Sequence, residues 1–215
     1  MVQEQSGSRE LDRLIFFSDA VFAIVMTLLV LDIRVPDVPS DAAQEVPGLV
    51  FKLWPKILSY VLSFLVIGLY WIGHHQTFRY VRSYDRTLLW LNLVFLLSIS
   101  FIPFPTDLLG EYGELRFAVI FYAASVGLAR LLLALVWWYI FRGPIQTSDD
   151  LDPGLANYHF LRSLAIPAIF FLSIGIAFFN PNAAMASWVL LVVADTVAGR
   201  LWRRRNGTRG GSATT

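Results

Sequence analysis

The chain has 215 residues, of which 56% are hydrophobic and only 15% charged, with a formal net charge of +1 and no cysteine. A soluble domain carries about a quarter charged residues, so this composition and a mean hydropathy of +0.59 point to an integral membrane protein without a nucleic-acid partner. Disulfides, thiol catalysis and thiolate metal sites are excluded by the missing cysteine.

A membrane-crossing helix needs about 20 mostly apolar residues. Six stretches meet that need: residues 11–32, 55–76, 87–106, 114–141, 159–179 and 183–201. Polar residues 1–10 precede the first, without a basic segment and small-residue cleavage site, so no cleaved signal peptide is expected. Pro36, Pro39 and Pro47 separate the first two stretches, and Pro103 and Pro105 are expected to end the third. Gly143-Pro144 ends the fourth, Asp152-Pro153 starts the fifth, and Asn180-Pro181-Asn182 forms the last turn. With no internal repeat, the expected architecture is a single all-α domain of six transmembrane helices over 1–205. Residues 206–215, rich in Gly, Ser and Thr, form an expected disordered tail.

The first stretch carries one charge between 14 and 31, Asp19. An ionised carboxylate inside a bilayer needs a partner or a water-filled path. Arg13 and Phe17, four apart, share a helix face, and Ser18 and Asp19 project beside it. Farther along, Ile24, Thr27, Leu28 and Leu31 fall at i, i+3, i+4 and i+7, one face of a helix. Periodicity alone assigns such a stripe to lipid or packed core more readily than to a pore. The second stretch ends Trp71-Ile-Gly-His74-His75, and Asn92 lies a turn or two into the third. Alternating direction therefore brings Arg13, Ser18, Asp19, Trp71, His74, His75 and Asn92 to one depth, with complementary donors and acceptors for a polar knot between helices. Adjacent His74 and His75 point about 100° apart and cannot chelate one metal together. Neither a His-x-x-x-His pair nor a nucleophile–base–orienter set occurs, so the residues point to no metal site, no cofactor and no enzyme.

Lys and Arg set the orientation. Arg9, Arg13, Arg79, Arg82, Arg86, Arg142, Arg162, Arg200, Arg203, Arg204, Arg205 and Arg209 fall on the side of both termini; Arg34, Lys52, Lys56 and Arg116 fall on the other. Both termini are expected in the cytoplasm, and the protein in the plasma membrane. Asp32, Asp37, Asp41, Glu45, Asp107, Glu111 and Glu114 crowd the outer side. They would concentrate cations, or simply keep loops soluble. Arg130 and Asp195 lie within the fourth and sixth stretches and make a candidate intramembrane pair.

Arg13-Leu-Ile-Phe-Phe17-Ser18-Asp19 resembles the signature of the transmembrane protein 175 family of potassium channels. Trp71-Ile-Gly-His74-His75, the segment around Asn92, and Pro103-Phe-Pro105 also resemble its prokaryotic members. The resemblance covers the first three stretches and implies a homotetramer of single six-helix units, with the first helices lining a central potassium pore. It implies structural roles for Arg13, Phe17, Ser18 and Asp19. It also implies a constriction at Ile24, further apolar layers at Leu28 and Leu31, and a polar layer at Thr27. No Thr-Val-Gly-Tyr-Gly segment occurs, so selectivity would arise at side-chain rings rather than a carbonyl filter. The alternative from the residues is a proton-coupled secondary transporter using intramembrane Asp, Arg and His. Paired broken helices, the best sequence pointer to alternating access, do not appear.

Overall fold

The computed structural model describes residues 2–34, 46–145, 147 and 153–188. The helices in chain order are α1 (Val2–Leu28), α2 (Val46–Lys52), α3 (Trp54–Phe78), α4 (Arg86–Phe101), α5 (Pro103–Tyr112), α6 (Arg116–Arg142) and α7 (Pro153–Ala177). A 3-10 turn, Leu29–Asp32, prolongs α1, and residues 181–188 are helical. Among the described residues four segments are long and apolar enough to cross a membrane: Arg9–Asp32, Trp54–Phe78, Arg86–Tyr112 and Arg116–Arg142. The fifth expected stretch falls in α7, where the apolar helix Ile166–Ala177 is shorter. Most of the sixth, with Asp195, lies outside the described residues, as do the acids Asp37, Asp41 and Glu45 and the tail 206–215.

The third span differs from expectation. Pro103 and Pro105 do not end it; they occupy the first turn of α5, where a missing N–H costs nothing. At Ile102 the backbone stays in the helical region, and its N–H bonds to the Ile99 carbonyl that Pro103 leaves free. Thr106 then closes the junction with its N–H and hydroxyl, both on the Ile102 carbonyl. At the other end, α4 starts on Asp85, whose side chain accepts from the Leu88 N–H at 2.7 Å. The first helix also begins earlier than residue 11, at Val2.

Packing explains the layering. Lipid tails are as apolar as leucine, so helices join through close packing and small residues. Ala118, Ala123, Gly127, Ala129 and Ala134 of α6 are all buried. A Cβ on Gly127 would sit 3.1 Å from the Phe171 ring, so this glycine sets the close approach of α6 and α7. Gly110 does the same between α5 and α3: a Cβ there would lie 2.7 Å from Ser59 Oγ and 3.2 Å from the Lys56 backbone. Gly110→Val is expected to cost roughly 1–3 kcal/mol by overpacking. An unchanged melting temperature in detergent would contradict that contact. Of the four spans α6 is the most buried and α1 the least, 56% against 22% of the apolar window. α1 is thus a peripheral helix of the bundle, held to α3 and α4 by one side.

Candidate functional site: two faces of the first helix

The inner side of α1 is a stripe of buried residues, Leu11, Leu14, Ser18, Phe22, Val25 and Leu29. Ser18 anchors it. Its hydroxyl donates to the Leu14 carbonyl at 2.9 Å and accepts from the Asn92 amide at 3.0 Å. The Asn92 carbonyl oxygen lies 2.9 Å from His74 Nε2. Since that oxygen can only accept, Nε2 carries the proton and the chain runs one way, His74 to Asn92 to Ser18 to Leu14. All three side chains are fully buried. His74 is stacked against Phe78 and Phe95 and tilted against Phe22, and its Nδ1 finds no partner. One turn before His74 on α3, the Trp71 indole N–H donates to Asp19 Oδ1 at 2.8 Å.

The structure therefore brings together Ser18, Asp19, Trp71, His74 and Asn92. It does not bring Arg13, Phe17 or His75 into that network. Arg13, Phe17 and His75 are exposed on the single chain, His75 only leaning on the Trp71 ring. Arg13 and Phe17 instead share the outer side of α1 with Ala20, Ile24, Thr27 and Leu31 at alternating spacings of four and three. On that outer side Ile24 is 57% exposed, Leu28 44% and Leu31 59%. Thr27 donates its hydroxyl to the Ile24 carbonyl at 2.8 Å, which leaves its oxygen lone pairs facing outward.

Two further polar clusters escape sequence reading. Within the bundle, the Ser63, Thr106 and Tyr122 hydroxyls meet at 2.8–3.0 Å, tying α3, α5 and α6. Ser and Thr inside apolar runs usually bond their own helix, so nothing in the sequence marks these as partners. At the end where α1 begins, Tyr84 bonds Glu10, and Tyr139 bonds Asp85. Burial alone would raise the Asp85 carboxyl; the Tyr139 hydroxyl and backbone N–H groups outweigh it and hold the group below its ordinary value. That clamp contributes stability above the carboxylate range and loses it as pH falls through the lowered value. Arg130 is buried in α6 with its guanidinium 5.6 Å from the Tyr70 ring centre. Gly73 makes room for it, since a Cβ there would lie 2.8 Å from an Arg130 terminal nitrogen. Among the described residues no cluster of His, Asp or Glu is placed to hold a metal.

Among the described residues, four membrane-length helical spans and a polar lock beneath one peripheral apolar helix define a polytopic membrane protein. Comparisons narrow it further. The family described as endosomal/lysosomal potassium channel TMEM175 matches residues 13–103. A Streptomyces collinus protein named a potassium channel is 37% identical over 185 residues, 82% of this chain and 87% of that protein. A Danio rerio protein named an endosomal/lysosomal proton channel TMEM175 is 27% identical over 68% of this chain but 28% of its own length. The crystal structure of a lysosomal potassium-selective channel TMEM175 homolog from Chamaesiphon minutus superposes with a TM-score of 0.77 at 26% identity, covering 88% of this chain and 98% of that one. The chain belongs to the TMEM175 family.

Proposed function

We propose that this protein is a passive, leak-type potassium channel, assembled as a homotetramer around a pore lined by α1. The observation that carries the reading is the two-sidedness of α1: one side is locked to α3 and α4 by the Ser18–Asn92–His74 chain, while Ile24, Thr27, Leu28 and Leu31 stand exposed. A single helix encloses nothing; four such faces around an axis enclose a path. Ile24 forms the narrowest apolar collar, which blocks hydrated ions by dewetting. Four Thr27 oxygens beyond it replace part of the lost hydration, and Leu28 and Leu31 continue the wall. Arg13 and Phe17, exposed on the isolated protomer, meet neighbouring protomers. The names of the bacterial relatives support potassium as the permeant ion. Protons are the second candidate, on the name of the animal relative.

Reconstituted protein is expected to pass potassium faster than sodium and to exclude choline; equal choline entry would overturn the reading. Native mass measurement in detergent is expected to give four chains; monomers or dimers alone would refute the ring. Orientation follows from the arginines, with six spans placing both termini in the cytoplasm of a plasma-membrane protein. A reporter active only in the cytoplasm, fused at Thr215, is expected to give signal, and silence there with an active external reporter would refute it.

A further inference from the structure

We infer that the outer stripe of α4, with the arginines at its start, is a docking site for an anionic phospholipid. The inference rests on the chain being membrane-embedded, not on which ion it passes. Arg86, Trp90, Val94, Leu97 and Phe101 follow one another at helical spacing along α4. Trp90 is 59% exposed, Val94 44%, Leu97 69% and Phe101 47%, and Arg86 is exposed at the head of the row. An exposed apolar row of this length accommodates an acyl chain, and a tryptophan near its charged end sits at headgroup level.

The charged end is built rather than loose. Val81, buried, pairs with Thr147 in an isolated antiparallel bridge. Tyr80 packs edge-on against Trp137, and Asp85 caps α4. The turn between α3 and α4 is thereby fixed, and it presents Arg79, Arg82 and Arg86 outward. Arg142, three residues beyond Tyr139, is exposed at the same end. Two described carboxylates at this end are already engaged: Asp85 accepts from Tyr139 and the Leu88 N–H, and Glu10 accepts from Tyr84. Among the described residues none of these four guanidinium groups has an ion-pair or hydrogen-bond partner, whereas Lys56 at the opposite end is paired with Glu111. Unpaired guanidiniums above an apolar row match a phosphate headgroup above its acyl chain, with planar donors suited to two oxygens at once.

The test uses the purified full-length protein in mixed micelles, adding phosphatidylglycerol or phosphatidylcholine and counting retained lipids by native mass spectrometry. Phosphatidylglycerol is expected to be retained over phosphatidylcholine, with retention falling as salt rises. The pair Arg82→Gln and Arg86→Gln is expected to lower that retention by about fivefold per guanidinium. Arg34→Gln with Arg116→Gln, exposed arginines of the opposite end, is expected to leave it unchanged. Arg82→Lys with Arg86→Lys keeps the charge and is expected to retain most of the lipid, which separates loss of binding from loss of folding. Equal retention of both lipids, or full retention by the glutamine pair, would overturn the inference. So would displacement of the lipid by millimolar inorganic phosphate, which would mark a site for a free anion. A changed chain count in the glutamine pair would also overturn it, by assigning the stripe to a contact between protomers.

Discussion

Ile24→Asn is expected to raise cation flux through reconstituted protein and to weaken its preference for potassium over sodium. Ile24 is 57% exposed on the protomer, so the change removes no packing within the bundle. In the proposed tetrameric ring it would replace an apolar collar with four amides that hold water. The cost of stripping an ion's hydration then falls, and a barrier lowered by about 1.4 kcal/mol is tenfold in rate. Hydrated sodium would pass through the same wetted ring, which is why preference falls with the barrier. Val25 makes a poor control although it is adjacent. It is 3% exposed and packed in the core, so Asn there buries an unpaired amide. Leu97→Asn on α4, at a 69% exposed position, is the better comparison and is expected to leave flux and preference as they were. Wild-type flux and preference in assembled Ile24→Asn protein would move the pore away from this face.

Asn92→Leu is expected to act the other way, lowering the yield and stability of assembled protein while leaving ion preference intact. Both functions of the fully buried amide are used, one on Ser18 and one on His74. Its loss strands the His74 N–H in a pocket of Phe22, Phe78 and Phe95. A buried donor left unmet costs about 1–3 kcal/mol. Adding His74→Phe removes the stranded donor and is expected to recover part of the loss, since Ser18 keeps its bond to Leu14. Thermal unfolding of the two single variants and the double variant measures that coupling. Loss in the double variant equal to the sum of the singles would contradict the chain as drawn. By the same logic Asp19→Ala, which frees the Trp71 indole, is expected to impair assembly more than selectivity. Normal assembly with lost potassium preference would instead make Asp19 a ligand in the pore.

Depth in the membrane is legible in this sequence because hydropathy and chain direction fix it. Ser18, His74 and Asn92 are each a turn or two from the same end, and polar groups at one depth in an apolar bundle must find each other. Azimuth is less legible. Arg13 shares the depth of the network yet lies on the opposite side of α1 from Ser18, because a difference of five residues turns it about 140° away. Prolines mislead in a different manner. Pro103 and Pro105 read as terminators, but prolines in the first turn of a following helix let the span continue, and only the neighbouring carbonyl bonds decide which occurs. The tyrosine clamps on Glu10 and Asp85 join residues 74 and 54 apart in sequence, and no local pattern announces such a pair.

The absence of cysteine gives the most direct test of the central claim, that the exposed side of α1 lines the ion path. Single cysteines at Ile24, Thr27 and Leu31, compared with one at Leu97, each supply the protein's sole thiol. Potassium flux in liposomes is measured before and after a small charged thiol reagent. The account predicts that the reagent changes flux at Thr27→Cys and at least one flanking α1 position, and leaves Leu97→Cys untouched. Unchanged flux at all three α1 positions, with the thiols shown to be labelled, would contradict it.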